Sequence, residues 1–209
     1  MGKIKTAPLI YENFLWKNGA NAVIGIDEVG RGPLAGPVVA CVLILPQGVK
    51  IEGVNDSKKV SEVRRKKLAE EIKSHAAAYA FGIIDAEEID RINILQATLK
   101  AMTVAALKLN QKLGTNPVAL VDGNTAPALD FPVFCLPKGD SVCHLIAAAS
   151  ILAKVKRDTI MEELDSKYPI YGFAKHKGYG TAAHSEAIRK HGLCPLHRRT
   201  FCGKFTSSW

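Results

Sequence analysis

Two adjacent carboxylates, Asp27 and Glu28, stand at the end of an apolar run, just before a loop rich in glycine and proline, Gly30-Arg31-Gly32-Pro33-Leu34-Ala35-Gly36-Pro37. Carboxylate oxygens are the ligands selected by hard cations such as Mg²⁺ and Mn²⁺. Gly30 and Gly32 lack a Cβ, so a ligand or a second backbone can approach their amides closely. Arg31 between them is a fixed positive charge and a phosphate donor. An acidic pair beside a cationic, amide-rich loop suits metal-assisted chemistry on a phosphate ester. No Gly-Lys-Ser/Thr follows, so the loop is not a nucleotide P-loop. A solvated acidic turn closing a hairpin explains the same spacing. Neighbours on a regular strand point to opposite faces, so one shared site requires a bend near Glu28 or two cations on different sides.

Further along, Val118-Ala119-Leu120-Val121-Asp122-Gly123-Asn124 repeats this logic, with a buried strand delivering Asp122 at its end. Asp-Gly is also a common turn, but ligands of open α/β sheets bind outside the carboxyl ends of strands. Asp140 opens a helix after Lys138-Gly139, where capping is a sufficient reason for it. Ser150 and Lys154 are i,i+4 neighbours that offer a hydroxyl and an ammonium to phosphate, unless they only pack. Asp56-Ser57-Lys58 suits either a phosphate contact or an Asx-type turn. Lys175-His176-Lys177-Gly178-Tyr179-Gly180 interleaves charge for phosphate with a ring for stacking, as nucleic-acid contact requires. His191, Cys194, His197 and Cys202 fall within twelve residues, but their spacing does not match a zinc knuckle. No cysteine lies in a recognisable nucleophile setting.

These residues need elements to hold them. Val23 to Ile26 reads as a buried strand, with Asp27 and Glu28 beyond its end, and Val38 to Leu45 as its hairpin partner. Ser61 caps a predicted helix, Tyr79 to Ile84 is a third strand, and Val118 to Val121 and Val133 to Leu136 are two more. Asp85 to Leu109 predicts a long helix with Ile89, Ile92, Leu95, Leu99, Met102 and Ala106 on one face, and Gly114 and Pro117 bound the turn after it. An Ala-rich helix spans Val142 to Leu164, and another runs from Thr181, its candidate N-cap, to His191, with Gly192 just past its end. Tyr11, Phe14, Leu15 and Trp16 predict a short amphipathic turn on the body. The division expected is an N-terminal extension (1–22), a catalytic domain (23–168) and a basic C-terminal helical segment (169–209).

The 209 residues carry a net charge of +8. From Tyr171 to Trp209 seven basic residues meet one acid, Glu186, and a second basic knot runs from Lys58 to Lys67. That asymmetry favours a polyanionic partner, most simply nucleic acid; a solubilising surface is the plainer reading. No apolar run approaches the ~20 residues of a membrane span, and Met1 to Lys5 lacks the apolar core of a secretory signal. Met1-Gly2 with Thr6 is too little for myristoylation. Cys41, Cys135 and Cys143 read as buried thiols, and a reduced, cytoplasmic protein is the expectation.

As a set, Gly25-Ile26-Asp27-Glu28-Val29-Gly30-Arg31-Gly32, Asn55-Asp56-Ser57-Lys58, Val121-Asp122-Gly123, Lys138-Gly139-Asp140, Ala148-Ala149-Ser150-Ile151 with Ala153-Lys154-Val155, His176-Lys177-Gly178-Tyr179 and His197-Arg198-Arg199 resemble bacterial ribonuclease HII, in order from Val23 to Phe201. The resemblance implies an α/β, ribonuclease H-like fold with a central mixed sheet flanked by helices. It implies an endonuclease that cuts the RNA strand of RNA–DNA hybrids and cuts at single ribonucleotides in duplex DNA, leaving 5′-phosphate and 3′-hydroxyl ends. It places two divalent cations, Mn²⁺ or Mg²⁺, on Asp27, Glu28, Asp122 and Asp140. Gly30, Arg31 and Gly32 match the segment that reads the ribose 2′-OH, and Tyr179 the ring that stacks on the neighbouring deoxyribose. Lys58, Ser150, Lys154, Lys177 and Arg198 complete the expected substrate contacts. The triplet differs from that of the sister ribonuclease HIII. A monomer is expected, with no membrane partner; no clear clamp-binding tail is visible, and Phe201 to Trp209 leaves recruitment by a sliding clamp open. A DNA-cutting nuclease of related fold and a non-catalytic nucleic-acid-binding module are the competing readings.

Overall fold

The structure, a computed structural model, describes residues 5–111 and 117–206. Gly114, the Met1-Gly2 motif and the last three residues of the tail lie outside them.

Five strands form one sheet: β1 (Val23–Val29), β2 (Val38–Ile44), β3 (Ala78–Ile84), β4 (Val118–Asp122) and β5 (Val133–Leu136), in the order β3-β2-β1-β4-β5. β1 pairs antiparallel with β2 and parallel with β4, so the sheet is mixed, as expected. Helices α1 (Ile10–Lys17), α2 (Glu62–His75), α3 (Ala86–Asn110), α4 (Gly139–Val142), α5 (His144–Lys167), α6 (Phe173–His176), α7 (Ala182–His191) and α8 (Gly203–Thr206) surround it. Period-2 alternation divides the core into two layers. Val23, Cys41, Leu43 and Leu120 face α2 and α5, whereas Ile24, Ile26, Val42 and Val121 face α3.

One glycine on each face sets how closely the helices approach. A Cβ on Gly25 would stand 2.4 Å from the Leu145 carbonyl carbon of α5, and one on Gly82 would stand 1.8 Å from the Ala101 oxygen of α3. Backbone therefore lies on backbone, which brings α5 side chains within reach of the β1 end.

Several expectations shift. β1 continues through Asp27 and Glu28 to Val29, because both acids stay in register with Cys41 and Ala40 of β2. The chain does not bend at Glu28. α3 is broken at Asn93 (φ 66°, ψ 165°), whose Oδ1 caps the restarted helix by accepting from the Gln96 amide at 3.1 Å. The break rotates the second half, so Ala97, Ala101 and Ala105 are buried, while Leu95 faces solvent and Leu99 is half-buried. The helix expected from Val142 splits at Cys143, which is extended. α1 packs on the body only partly as its apolar pattern predicts: Leu15 and Trp16 lie half-buried against the core, Tyr11 and Phe14 are exposed, and buried Glu12 accepts from the Leu145 amide at the start of α5 (2.9 Å). All five cysteines are free thiols; Cys41 and Cys143 are buried and Cys135 half-buried. Among the described residues no helix is long and apolar enough to cross a membrane.

His144 is fully buried: it accepts from the Ile51 amide at 3.1 Å, and its other ring nitrogen meets the Ala7 carbonyl at 3.3 Å. Burial holds its pKa down, from 6.5 to about 4. A depressed folded value means full stability above the ordinary pKa and loss as pH falls toward the folded one. The destabilisation caused by His144→Gln at pH 7.5 is therefore expected to shrink by pH 4.5, because the unfolded wild type takes up a proton at this imidazole that the buried, neutral ring of the folded state does not. Urea unfolding at both pH values measures this, and a constant difference would contradict it.

Candidate active site

Asp27 lies on the α5 face of β1, and Asp122 ends β4 next to it, one step beyond the Ile26–Val121 pair. Asp27 is 4 % exposed, and its Oδ1 accepts from the Glu28 amide at 2.7 Å. Burial, then Glu28 and Asp122, push its carboxyl well above the usual carboxylate range, opposed by a hydrogen bond from Ser150. Glu28 projects to the α3 face, into a cleft of about 130 Å³ that Asp122, Asn124, Thr98 and Met102 also line. Burial and Asp122 raise its pKa, while Arg31, 3.6 Å away, lowers it. Asp122 thus couples to acids on both faces of β1, because the end of a strand is where the two faces meet.

Asp140 approaches from α4. The Gly139 amide donates to Asp122 Oδ1 at 2.6 Å, which fixes this short helix against β4. Burial, Asp56 and Asp122 raise the Asp140 pKa to about 6, with Lys58 opposing. The helix N-cap position belongs to Lys138, so Asp140 is not there to cap. Of the two roles open to Asp56, phosphate contact or Asx turn, it forms the turn, accepting from the Lys58 amide at 3.0 Å, and it also faces Asp140. Only the fold discloses that second contact.

The four acids offer oxygen donors alone, and three of them have pKa values raised by burial and like charge. That chemistry fits a hard divalent cation, which would relieve the repulsion. Among the described residues no three His, Cys, Asp or Glu side chains form a ready cation cage. The zinc reading finds no support: Cys194 Sγ meets His197 Nδ1 at 3.2 Å, but Cys202 points to the Leu34 carbonyl and His191 is exposed.

The loop after β1 leads from Glu28 toward Tyr179, which is 41 % exposed; a Cβ on Gly32 would stand 3.8 Å from its Cε1. Arg31 and Gly32 are exposed, and so is Lys58. Other basic residues expected at the substrate turn inward. Lys154 pairs with Asp158 at 2.7 Å and Lys177 with Glu162 at 2.7 Å. Ser150 is buried, with its hydroxyl 2.9 Å from Ser57 Oγ in a hydrogen bond. Arg198 is 0 % exposed, and its guanidinium donates to the carbonyls of Gly30, Arg31 and Gly36, so a direct phosphate contact is not open to it. Arg157, which no sequence motif marks, is equally buried and donates to the carbonyls of Ala35, Pro37 and Lys177.

The family model described as Ribonuclease HII matches residues 24–204. Ribonuclease HII of Caldanaerobacter subterraneus subsp. tengcongensis is 54% identical over 196 residues, spanning 93% of this chain and 79% of that protein. The ribonuclease H2 structure from Pyrococcus horikoshii OT3 superposes with a TM-score of 0.70 at 27% identity, over 88% of this chain and 96% of that one. RNase HII in a PCNA:RNase HII complex from Archaeoglobus fulgidus gives 0.67 at 26% identity, over 85% and 93%. A match running from β1 into the last helix, to sequences and folds alike, makes this chain a member of the ribonuclease HII family, and so an endonuclease that hydrolyses phosphodiester bonds.

Proposed function

We propose that the protein hydrolyses the RNA strand of RNA–DNA hybrids and also cuts at single ribonucleotides within duplex DNA, leaving 5′-phosphate and 3′-hydroxyl ends. The observation that carries this reading is continuity: β1 delivers Asp27 and Glu28, and the next residues form the loop that faces Tyr179. Scissile phosphate and adjoining sugar would therefore be met by one uninterrupted stretch of chain. Asp27, Glu28, Asp122 and Asp140 would hold two divalent cations, Mg²⁺ or Mn²⁺, which supply an activated water and stabilise the leaving 3′-oxygen. The amides of the Gly30–Gly32 loop would read the 2′-OH, the one group of the sugar that separates RNA from DNA. The Tyr179 ring would stack on the neighbouring deoxyribose, and Lys58, with the basic segment 169–209, would hold phosphates without reading sequence. Ser150, bonded to Asp27 and Ser57, would steady the acid. Lys154 and Lys177, paired as they are, would add positive field beside the strand. Recruitment by a sliding clamp is carried by the likeness to the archaeal PCNA complex alone.

The test uses a duplex with one ribonucleotide, its all-DNA twin and an RNA–DNA hybrid, each with and without Mn²⁺. Cutting of the first and third only, and only with the cation, is expected. Cutting of the all-DNA twin would favour a DNA nuclease of related fold, and no cutting at all would refute the catalytic reading.

A further inference from the structure

Arg157 and Arg198 are among the largest side chains with no exposure, and among the described residues neither forms an ion pair with a carboxylate. A buried charge without a counter-ion is costly unless its donors are all used. Here they go almost entirely to one loop. Arg198 reaches Gly30 O (2.6 Å), Arg31 O (2.9 Å) and Gly36 O (2.8 Å). Arg157 reaches Pro37 O (2.9 Å) and Ala35 O (3.1 Å), and spends its remaining arm on Lys177 O (2.9 Å). Its guanidinium carbon also sits 6.0 Å from the centre of the Tyr179 ring.

Peptide geometry turns these bonds into a statement about the cleft. The peptides are trans, and in a trans peptide the C=O and the following N–H point in opposite directions. With the Gly30 and Arg31 carbonyls drawn inward by Arg198, the N–H groups of Arg31 and Gly32 point outward. By contrast, Leu34 N and Gly36 N are tied back to Gly178 O and Leu196 O (2.9 Å each).

We infer that Arg198 and Arg157 are positioning residues for sugar recognition: Arg198 aims the Arg31 and Gly32 amides at the 2′-oxygen, and Arg157 fixes that loop relative to Tyr179. The inference rests on the proposed role of the loop. It also assigns the recognition donors to two particular amides. A lysine keeps the charge but loses the planar fork, so charge alone does not substitute.

Arg198→Lys and Arg157→Lys are to be assayed with Mn²⁺ at a temperature where circular dichroism shows each folded. The substrates are a duplex with one ribonucleotide and a twin bearing a 2′-fluoro sugar at that position. Each variant is expected to lower the ribo-to-fluoro ratio of kcat/KM at least tenfold. A ratio within twofold of wild type, with activity lost equally on both, would reduce the arginines to structural roles and overturn the inference. Gly32→Ala separates the two levels. If it collapses the ratio while the arginine variants do not, the loop reads the sugar but is not aimed by them. If it leaves the ratio unchanged, loop reading and positioning fall together. Should neither lysine variant fold, amide exchange in the wild type decides: fast exchange at Arg31 and Gly32 beside protected Leu34 and Gly36 is expected, and protection at Arg31 or Gly32 in the free protein would refute the outward orientation.

Discussion

Asp27→Asn is expected to lower turnover by on the order of 10³-fold, about 4 kcal/mol of lost transition-state stabilisation, while making the metal-free protein more stable. The two effects share a cause. Asp27 is buried beside Glu28 and Asp122, and both surroundings hold its pKa well above the ordinary value. A folded pKa raised above the unfolded one means that the ionised carboxylate costs stability at neutral pH, a cost that fades as pH falls through the raised value. Asparagine removes the charge yet keeps an oxygen to accept from the Glu28 amide, 2.7 Å from Asp27 Oδ1. The same charge would attract a divalent cation, so the wild type should gain thermal stability with Mn²⁺ and the variant should gain less. Melting curves with and without Mn²⁺, beside single-turnover assays, measure all three quantities. Retained turnover would remove Asp27 from the site; a metal-free Asp27→Asn protein that melts below wild type would sink the account of like charges under strain.

The sheet was legible because its strands are short β-branched runs bounded by turns, and two of the acids fall where such runs end. The limits of β1 were not, since an acidic residue reads as solvent-facing until its pairing with Cys41 and Ala40 is known. Asn93 is an ordinary residue on a helical pattern, so the break it makes in α3, with the consequent rotation of Leu95 outward, left no trace in the periodicity. The basic residues divide most sharply. Lys58 is exposed where expected, but Arg198 lies 162 residues from Gly36, whose carbonyl it binds. A tail arginine that folds back to satisfy carbonyls cannot be told by sequence from one that reaches for phosphate. Arg157 was hidden for a related reason: on α5 it lies seven residues from Ser150 and three from Lys154, and a charged helix position defaults to solvent. Tertiary partners, not local propensity, decide such cases.

Gly30→Ala is expected to destabilise the protein by about 3–5 kcal/mol and to remove most of its activity, a larger loss than a methyl causes at Gly48 or Gly32. Two costs combine at this position. Its φ is +96°, which L side chains adopt only under strain, and its added Cβ would stand 2.2 Å from Arg157 Nε and 2.7 Å from the Pro37 oxygen. Relief requires Arg157 to move, and a displaced guanidinium loses its carbonyls while still buried. Gly48→Ala isolates the first cost, because its φ is +79° with nothing within 4 Å of the new Cβ; roughly 1 kcal/mol is expected there. Gly32→Ala carries neither, since the nearest atom, Tyr179 Cε1, is at an ordinary 3.8 Å, and its effect belongs to substrate rather than stability. Urea unfolding of the three variants orders them Gly30, Gly48, Gly32. If Gly30→Ala proves no worse than Gly48→Ala, the seat of Arg157 against the loop is not tight, and the rigidity claimed for this corner of the cleft is lost with it.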